Sequence, residues 1–196
     1  LGSEQDFRFE SPLFVDATGD GTVGFKAGAG YMWGEEAASD YGEPLAPEKA
    51  SRYVMGSTLL LFSRDAGHPV AYRRPDFAYN ITKLKYFKNF QNGSPARGIH
   101  REGNAFSGFW WIEIGGLLDT IADNETITME LRRLVYGVWD YIKNSGAFEN
   151  TGNLLLEKVT QVAGKRESRR LIGGHVLTET EIEDKPRFPD AAAMGG

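Results

Sequence analysis

The stretch that organises the chain reads Leu13-Phe14-Val15-Asp16-Ala17-Thr18-Gly19-Asp20-Gly21. Residues 13–17 form a short apolar run rich in β-forming side chains, which predicts a buried strand. Gly19 and Gly21 then favour a tight turn, because glycine adopts positive φ angles without steric cost, and a short helix is expected within residues 22–30. The backbone N–H groups of such a turn suit a phosphate or the edge of a cofactor. An ordinary surface loop is the alternative, because turns rich in Asp and Gly are common.

A second informative stretch occupies residues 164–179 and reads GKRESRRLIGGHVLTE. We call residues 164–170 the basic segment, because four cations and one anion fall within six consecutive residues there. Like charges come together more readily around a bound anion, and the planar fork of arginine suits a carboxylate, a phosphate or the negative charge that develops on a reduced flavin. A solvated charged run is the alternative, although the flanking glycines indicate a constrained path.

Both stretches resemble signatures of bacterial FAD-dependent oxidoreductases, within the broad superfamily that has a glutathione-reductase-like flavin domain. The first match covers VDATGDG at residues 15–21, followed by Ala-Gly-Ala at residues 27–29. The second covers GKRESRR, the following Leu-Thr-Glu and the Arg-Phe-Pro-Asp of residues 187–190. Residues 111–116 and 138–144 match further segments, so several motifs occur in the family's order over most of the chain.

The resemblance implies an α+β fold in which a mixed-sheet substrate-cap domain is flanked by pieces of a FAD-binding domain. Residues 1–30 would be a strand-turn-helix piece of the FAD-binding domain, residues 31–163 the substrate or cap domain, and residues 164–196 the return segment. FAD is the implied cofactor, and a hydride would pass between a small organic substrate and the flavin N5. No dinucleotide fingerprint precedes residue 13. This predicts an internal fragment that is inactive alone and needs the remainder of its own FAD domain.

The resemblance also assigns the residues that would lie near FAD, and these are Ala17, Thr18, Gly19, Asp20 and Gly21.

The basic segment supplies the candidate catalytic residues Arg166, Arg169 and Arg170. They are expected to hold an anionic substrate group or to balance the reduced flavin, and Glu167 would order them through a salt bridge. His175 is the histidine nearest to them in sequence, so it is the candidate acid or base. A core or surface histidine without a catalytic role is the alternative.

Residues 106–116 form the most strand-like run of the chain. Alternation places Ile112 and Ile114 on one face and Trp111 and Glu113 on the other. A tryptophan beside a carboxylate suits the wall of a small-molecule pocket, which makes Trp111 and Glu113 candidate substrate-binding residues. An ordinary sheet with one polar face is the alternative.

Other elements follow from periodicity and composition. A helix is predicted over residues 128–144 with Thr128 as its N-cap, and a strand is predicted over residues 53–62. The apolar pattern of residues 153–162 fits either a helix or a strand, and the family resemblance favours the strand. Residues 91–104 are glycine-rich and polar, which predicts a loop. The predicted helix carries one apolar stripe, formed by Leu131, Leu134, Val135, Val138, Trp139 and Ile142.

Two other classes of function remain open at this point. A carbohydrate-binding module would use the aromatic residues Trp110, Trp111, Tyr86 and Trp139, which would then have to line one exposed face. The alternation of side chains along a strand places Trp110 and Trp111 on opposite faces, and Trp139 lies on the apolar stripe of the predicted helix. The sequence therefore disfavours carbohydrate binding. A purely structural piece without a binding site is the other alternative.

The composition limits the classes of partner that the chain is expected to bind. A net charge of −5 and a sequence pI near 5.3 argue against nucleic acid, because its binders usually carry a basic patch. No apolar run approaches the roughly 18 residues of a membrane helix, so no membrane partner is predicted. The absence of cysteine excludes disulfides and thiolate metal sites. It is compatible with the cytoplasmic location that we predict and equally with export. The three histidines lie far apart, so no metal site is predicted.

Overall fold

The computed structural model describes residues 6–84, 99–102, 105–108 and 112–189, with side chains described outside residues 99–102 and 105–108. Helices and strands are both present, which confirms the predicted α+β class. The helices are α1 (Thr22–Lys26), α2 (Ala38–Tyr41), α3 (Asn124–Asn144) and α4 (Glu179–Asp184), with a 3-10 helix at Ile81–Lys83.

The described strands form three small antiparallel sheets. They are β1 (Tyr31–Met32), β2 (Ser57–Thr58), β3 (Leu61–Asp65), β4 (Ile99–Glu102), β5 (Ala105–Gly108), β6 (Glu113–Ile114), β7 (Leu154–Val159), β8 (Gly164–Lys165) and β9 (Arg170–Leu171). The sheet orders are β1-β9, β6-β2-β8 and β4-β5-β3-β7. The first sheet therefore joins the start of the chain to the end of the basic segment.

Three chain segments connect the two larger sheets. Strands β2 and β3, β5 and β6, and β7 and β8 each follow one another closely in sequence, with one member in each sheet. Leu60 and Thr160 bridge the junction, because the N–H of Leu60 donates to Thr160 Oγ1 (3.0 Å) and the N–H of Thr160 donates to the carbonyl of Leu60 (2.9 Å). The central part of the chain is thus one body of paired segments.

Helix α3 supplies the core that covers these sheets. Its buried side chains Leu131, Val135, Val138 and Trp139 pack with Leu59 and other apolar residues in one cluster. Burying such a stripe against a sheet is the main source of stability for an amphipathic helix. The predicted helix and its stripe are confirmed, although the helix begins at Asn124 and its N-cap is Asp123 rather than Thr128. The strand predicted over residues 153–162 is also confirmed, as β7.

The strand predicted over residues 13–17 is wrong. No described strand pairs with this stretch, so its backbone groups lack the hydrogen bonds to a neighbouring strand that define a β-strand. Its side chains are exposed, with Leu13 at 77% and Val15 at 83% of their full accessibility. Its first three residues, Leu13, Phe14 and Val15, therefore form an exposed apolar run with no described strand beside it.

Three other predictions change in the folded chain. Residues 53–62 were expected to form one strand, but the chain passes from β2 to β3 across Leu59 and Leu60. The loop predicted over residues 91–104 contains β4, which forms a hairpin with β5. Residues 106–116 contribute to β5 and to β6 in different sheets. In each case pairing with another segment, which local composition does not reveal, sets where the strands begin and end.

Candidate functional site

The turn at residues 16–21 is built around the carboxylate of Asp16. Its Oδ1 accepts hydrogen bonds from the backbone N–H of Thr18 (3.0 Å) and from Thr18 Oγ1 (2.6 Å). Its Oδ2 accepts from the N–H of Gly24 in α1 (2.9 Å). The bond from Gly24, followed by those from Thr18, stabilises the ionised form and lowers the pKa of Asp16 from 3.8 to about 2.

The glycines of this turn behave as the sequence predicts. Gly19 and Gly21 have φ angles of 81° and 60°, and a Cβ at Gly19 would meet no atom within 4 Å. Residues 17–19 are exposed, so the backbone there is open to an approaching group. The N–H of Thr22 donates to Thr18 Oγ1 (2.8 Å), which means that N–H groups at the start of α1 are already bonded to oxygens of the turn.

One sequence signal was missed. Residues 19–24 read Gly-Asp-Gly-Thr-Val-Gly, a Gly-x-Gly-x-x-Gly pattern that opens a helix, as dinucleotide fingerprints do. Its last glycine, Gly24, packs so closely on β9 that a Cβ would clash with the side chain of Leu171. However, no described strand precedes the pattern and α1 has only five residues, so it lacks the context of a complete fingerprint.

Asp20 connects this turn to the basic segment. Its Oδ2 accepts from Lys165 Nζ (2.7 Å) and its Oδ1 from Ser168 Oγ (2.7 Å). Burial would raise the pKa of Asp20, but the hydrogen bonds from Lys165 and Ser168 and the nearby cations outweigh it, so the pKa lies below the usual 3.8. The turn and the basic segment, 145 residues apart in sequence, therefore meet directly.

Arg169 and Arg170 extend the same junction. Arg169 Nε donates to the backbone carbonyl of Asp20 (3.0 Å), and its guanidinium lies 4.0 Å from the centre of the Phe25 ring. Arg170 Nη2 donates to the carbonyl of Gly34 (2.6 Å) and pairs with the carboxylate of Glu36. Both side chains thus hold the chain's own segments together.

Arg166 is placed differently. Its Nη1 lies 3.1 Å from Glu113 Oε2, and this is its one ion pair in the described part of the chain. Glu113 Oε1 accepts from the N–H of Gly56 (2.8 Å). The predicted salt bridge between Glu167 and the arginines is absent from the described residues, because the Glu167 carboxylate accepts instead from the N–H of Met55 (2.7 Å).

These contacts explain how the cations of the basic segment lie so close together. Asp20, Glu36 and Glu113 pair with Lys165, Arg170 and Arg166, respectively. Each acid lies at least 53 residues from its partner in sequence, so a scan for local charge could not find it. Carboxylates of the chain itself therefore pair with these three cations.

His175 is separate from the arginines. It is exposed, its Nε2 lies 3.1 Å from Glu181 Oε2, and its ring packs on Phe188. Glu181 also accepts from the N–H of Thr178, the largest of the interactions that lower the pKa of Glu181 below its usual 4.5. Through Glu181, which also binds the N-cap residue Thr178, His175 helps to hold the N-terminal end of α4 in place.

The candidate pocket wall is described in part. Trp111, Trp110 and Tyr86 lie outside the described residues, whereas Ile112 is buried and both Glu113 and Ile114 are half-buried. Trp139 is completely buried in the core, so it cannot join an exposed face that binds carbohydrate. That observation removes one of the four aromatic residues on which the carbohydrate-binding alternative depends.

Neither a metal centre nor a membrane span is found in the part of the chain that the structure describes. No group of three or more histidine or acidic side chains there is arranged to hold a metal ion. No helix among the described residues combines the length and the apolar character that crossing a bilayer requires.

Comparison with known families identifies the class of protein. The family model of FAD dependent oxidoreductases matches residues 2–196, and the chain therefore belongs to this family. No curated protein and no solved structure matches it.

The turn offers a place for only part of the FAD that the family name implies. The carboxylate of Asp16 and the hydroxyl of Thr18 already accept the N–H groups of Gly24 and Thr22, so a phosphate does not fit at the start of α1. Thr18 and Gly19 are exposed, and a Cβ at Gly19 would meet no atom within 4 Å, so there is open space beside Gly19. It fits contact with an uncharged part of FAD.

Proposed function

We propose that this chain supplies the cofactor-facing turn and the substrate cap of a flavoenzyme that transfers a hydride between an organic substrate and the flavin N5. Bound FAD supplies the redox chemistry. Ala17, Thr18 and Gly19 contact the cofactor through their exposed backbone, and Asp20 and Gly21 complete the turn. Membership of the FAD dependent oxidoreductase family supports the cofactor.

The observation that carries this proposal is the junction between the turn and the basic segment. The two stretches that resemble flavoprotein signatures lie far apart in sequence, yet Asp20 bonds directly to Lys165 and Ser168. A site for cofactor and substrate needs such convergence, because the reacting groups must be held in a fixed geometry. The turn then faces the cofactor, and the basic segment faces the substrate.

Arg166 is the residue that we assign to the substrate. It is 38% exposed and uses one nitrogen for Glu113, whereas Arg169 and Arg170 hold backbone carbonyls of the chain. A guanidinium has five N–H donors in a planar fork, so Arg166 retains donors for a carboxylate or a phosphate. Its role is to bind and orient an anionic group of the substrate.

The exposed apolar residues 13–15 support a further part of the proposal. Leu13, Phe14 and Val15 form a run with no strand beside it among the described residues. Large exposed apolar patches usually mark a surface that something else covers. We assign that cover to the remainder of the FAD domain of the parent protein, and we expect this chain to be inactive alone.

The visible absorption spectrum tests the proposed function. The parent protein and the present chain are each mixed with FAD, desalted and scanned, with free FAD passed through the same column as the control. A shifted flavin band that stays with the parent protein is the expected result, with little or none retained by the present chain. A parent protein that retains no flavin would overturn the proposal.

A further inference from the structure

Glu113 holds Arg166 from a fixed position. One carboxylate oxygen accepts the N–H of Gly56 (2.8 Å) in the chain just before β2, and the other pairs with Arg166 Nη1 (3.1 Å). Glu113 is on β6 and Arg166 directly follows β8, so the pair spans the sheet β6-β2-β8 from one outer strand to the other. A carboxylate fixed to the backbone in this way restricts where the guanidinium can lie.

Gly56 makes this pair possible. Strand β2 lies between β6 and β8, with Thr58 opposite both Glu113 and Gly164. A Cβ at Gly56 would clash with the carbonyl of Ile114 and would lie 3.2 Å from Glu113 Cγ. The absence of a side chain at Gly56 therefore lets β6 lie close enough for Glu113 to accept the N–H of Gly56.

The adjacent glutamate provides a contrast. Glu167 accepts the N–H of Met55 (2.7 Å), so Met55 and Gly56 each donate to a different glutamate. In the described part of the chain, the side chain of Glu113 touches an arginine and that of Glu167 does not. Both carboxylates accept a hydrogen bond from a backbone N–H, and only that of Glu113 also pairs with an arginine in the described part of the chain.

We propose that Glu113 is a positioning residue, which orients Arg166 so that its remaining N–H groups donate to a carboxylate or phosphate of the substrate. This inference rests on the proposed function, because it gives Arg166 the anionic group of the substrate. It also changes the role expected for Glu113, which acts through Arg166 rather than by touching the substrate. A fixed ion pair presents the guanidinium fork ready for bidentate binding and reduces the ordering that binding requires.

Calorimetric titration with two probe anions, benzoate and inorganic phosphate, tests the inference in the parent protein. Arg166→Ala is expected to weaken binding of the better probe about tenfold or more, since a charge-assisted pair is lost. Glu113→Gln retains an oxygen for the N–H of Gly56 but loses the charge that holds Arg166, and is expected to weaken binding about three- to tenfold. Glu157→Gln is the matched control, because its carboxylate on β7 pairs with Arg64 on β3 (3.5 Å), outside the basic segment, and it is expected to leave the affinity unchanged.

The double variant Glu113→Gln/Arg166→Ala separates positioning from a structural role. It should bind no more weakly than Arg166→Ala, because Glu113 has nothing to position once the guanidinium is gone. If the losses of affinity in the two single variants add up in the double variant, Glu113 does not act through Arg166. If Glu113→Gln binds the probe as well as the unaltered protein while Arg166→Ala binds it more weakly, Glu113 does not position Arg166. Either result would overturn the role of Glu113 and leave the proposed function standing. Unchanged binding in Arg166→Ala would overturn the assignment of Arg166 in the proposed function. Circular dichroism and the thermal midpoint of each variant show whether it is folded.

Discussion

At the scale of single residues, the carboxylate of Asp16 shows how the turn is stabilised. Its folded pKa of about 2 lies below the usual 3.8, so the ionised form stabilises the turn above about pH 4. The contribution is lost as the pH falls through about 2. In Thr18→Val the side-chain donor to Asp16 (2.6 Å) disappears, and the pKa of Asp16 should rise toward 3.8. Carboxyl ¹³C chemical shifts in an NMR titration measure this change.

Thr82→Val is the matched control for that titration. Thr82 Oγ1 donates to Asn80 Oδ1 (2.7 Å) in a similar local turn, so its loss should leave the pKa of Asp16 near 2. An Asp16 pKa that is the same in Thr18→Val as in the unaltered protein would show that the Thr18 hydroxyl does not stabilise the carboxylate.

The same residues show what the sequence can and cannot predict about the site. The positive φ angles of Gly19 and Gly21 follow from residue type and spacing, and the structure confirms them. The partners of the basic segment do not follow, because Asp20 and Glu113 reach it only through the fold. Counting charges within residues 164–170 predicts a bound anion, because the three carboxylates that pair with cations of this segment lie far away in sequence.

At the scale of elements, helix α3 was predictable and residues 13–17 were not. A helix forms its backbone hydrogen bonds internally, so a stripe of apolar residues is enough to predict both the element and its buried face. A strand needs a partner that the sequence does not identify. Residues 13–17 have the composition of a strand but no strand beside them in the described chain.

Helix α3 depends on its buried face, with Trp139 at the centre of the core. The side chain is fully buried and stacks edge-on to Tyr72, with ring centres 6.3 Å apart. Trp139→Ala should lower the free energy of unfolding by about 3–5 kcal/mol, through lost burial and the cavity left behind. Chemical denaturation measures the loss.

Two further variants on α3 make that experiment specific. Trp139→Phe should cost less than Trp139→Ala, because most of the apolar contact remains and Nε1, which has no hydrogen-bond partner among the described residues, is removed. Met129→Ala changes a residue of the same helix that is 53% exposed and should alter the free energy by no more than about 0.5 kcal/mol. Equal losses at Trp139 and Met129 would contradict burial as the cause.

At the scale of the whole molecule, contacts between the two ends of the chain hold the candidate site together. Strand β1 pairs with β9, α1 packs on Leu171, and Asp20 bonds to the basic segment. Amide hydrogen exchange in residues near position 20 and in residues 164–171 should therefore change together, although 145 residues separate Asp20 from Lys165.

Removal of the Asp20 carboxylate tests this coupling. In Asp20→Ala, Lys165 and Ser168 lose their partner at a position where both ionic side chains are less than 25% exposed, which should cost about 1–3 kcal/mol. Hydrogen–deuterium exchange should then rise together in residues 18–26 and 164–171, while α3 stays protected because its core is unchanged. Glu10→Ala breaks the highly exposed pair with Arg8 and should change exchange in neither segment. Faster exchange in only one of these two segments would show that residues 18–26 and residues 164–171 are stable independently of each other.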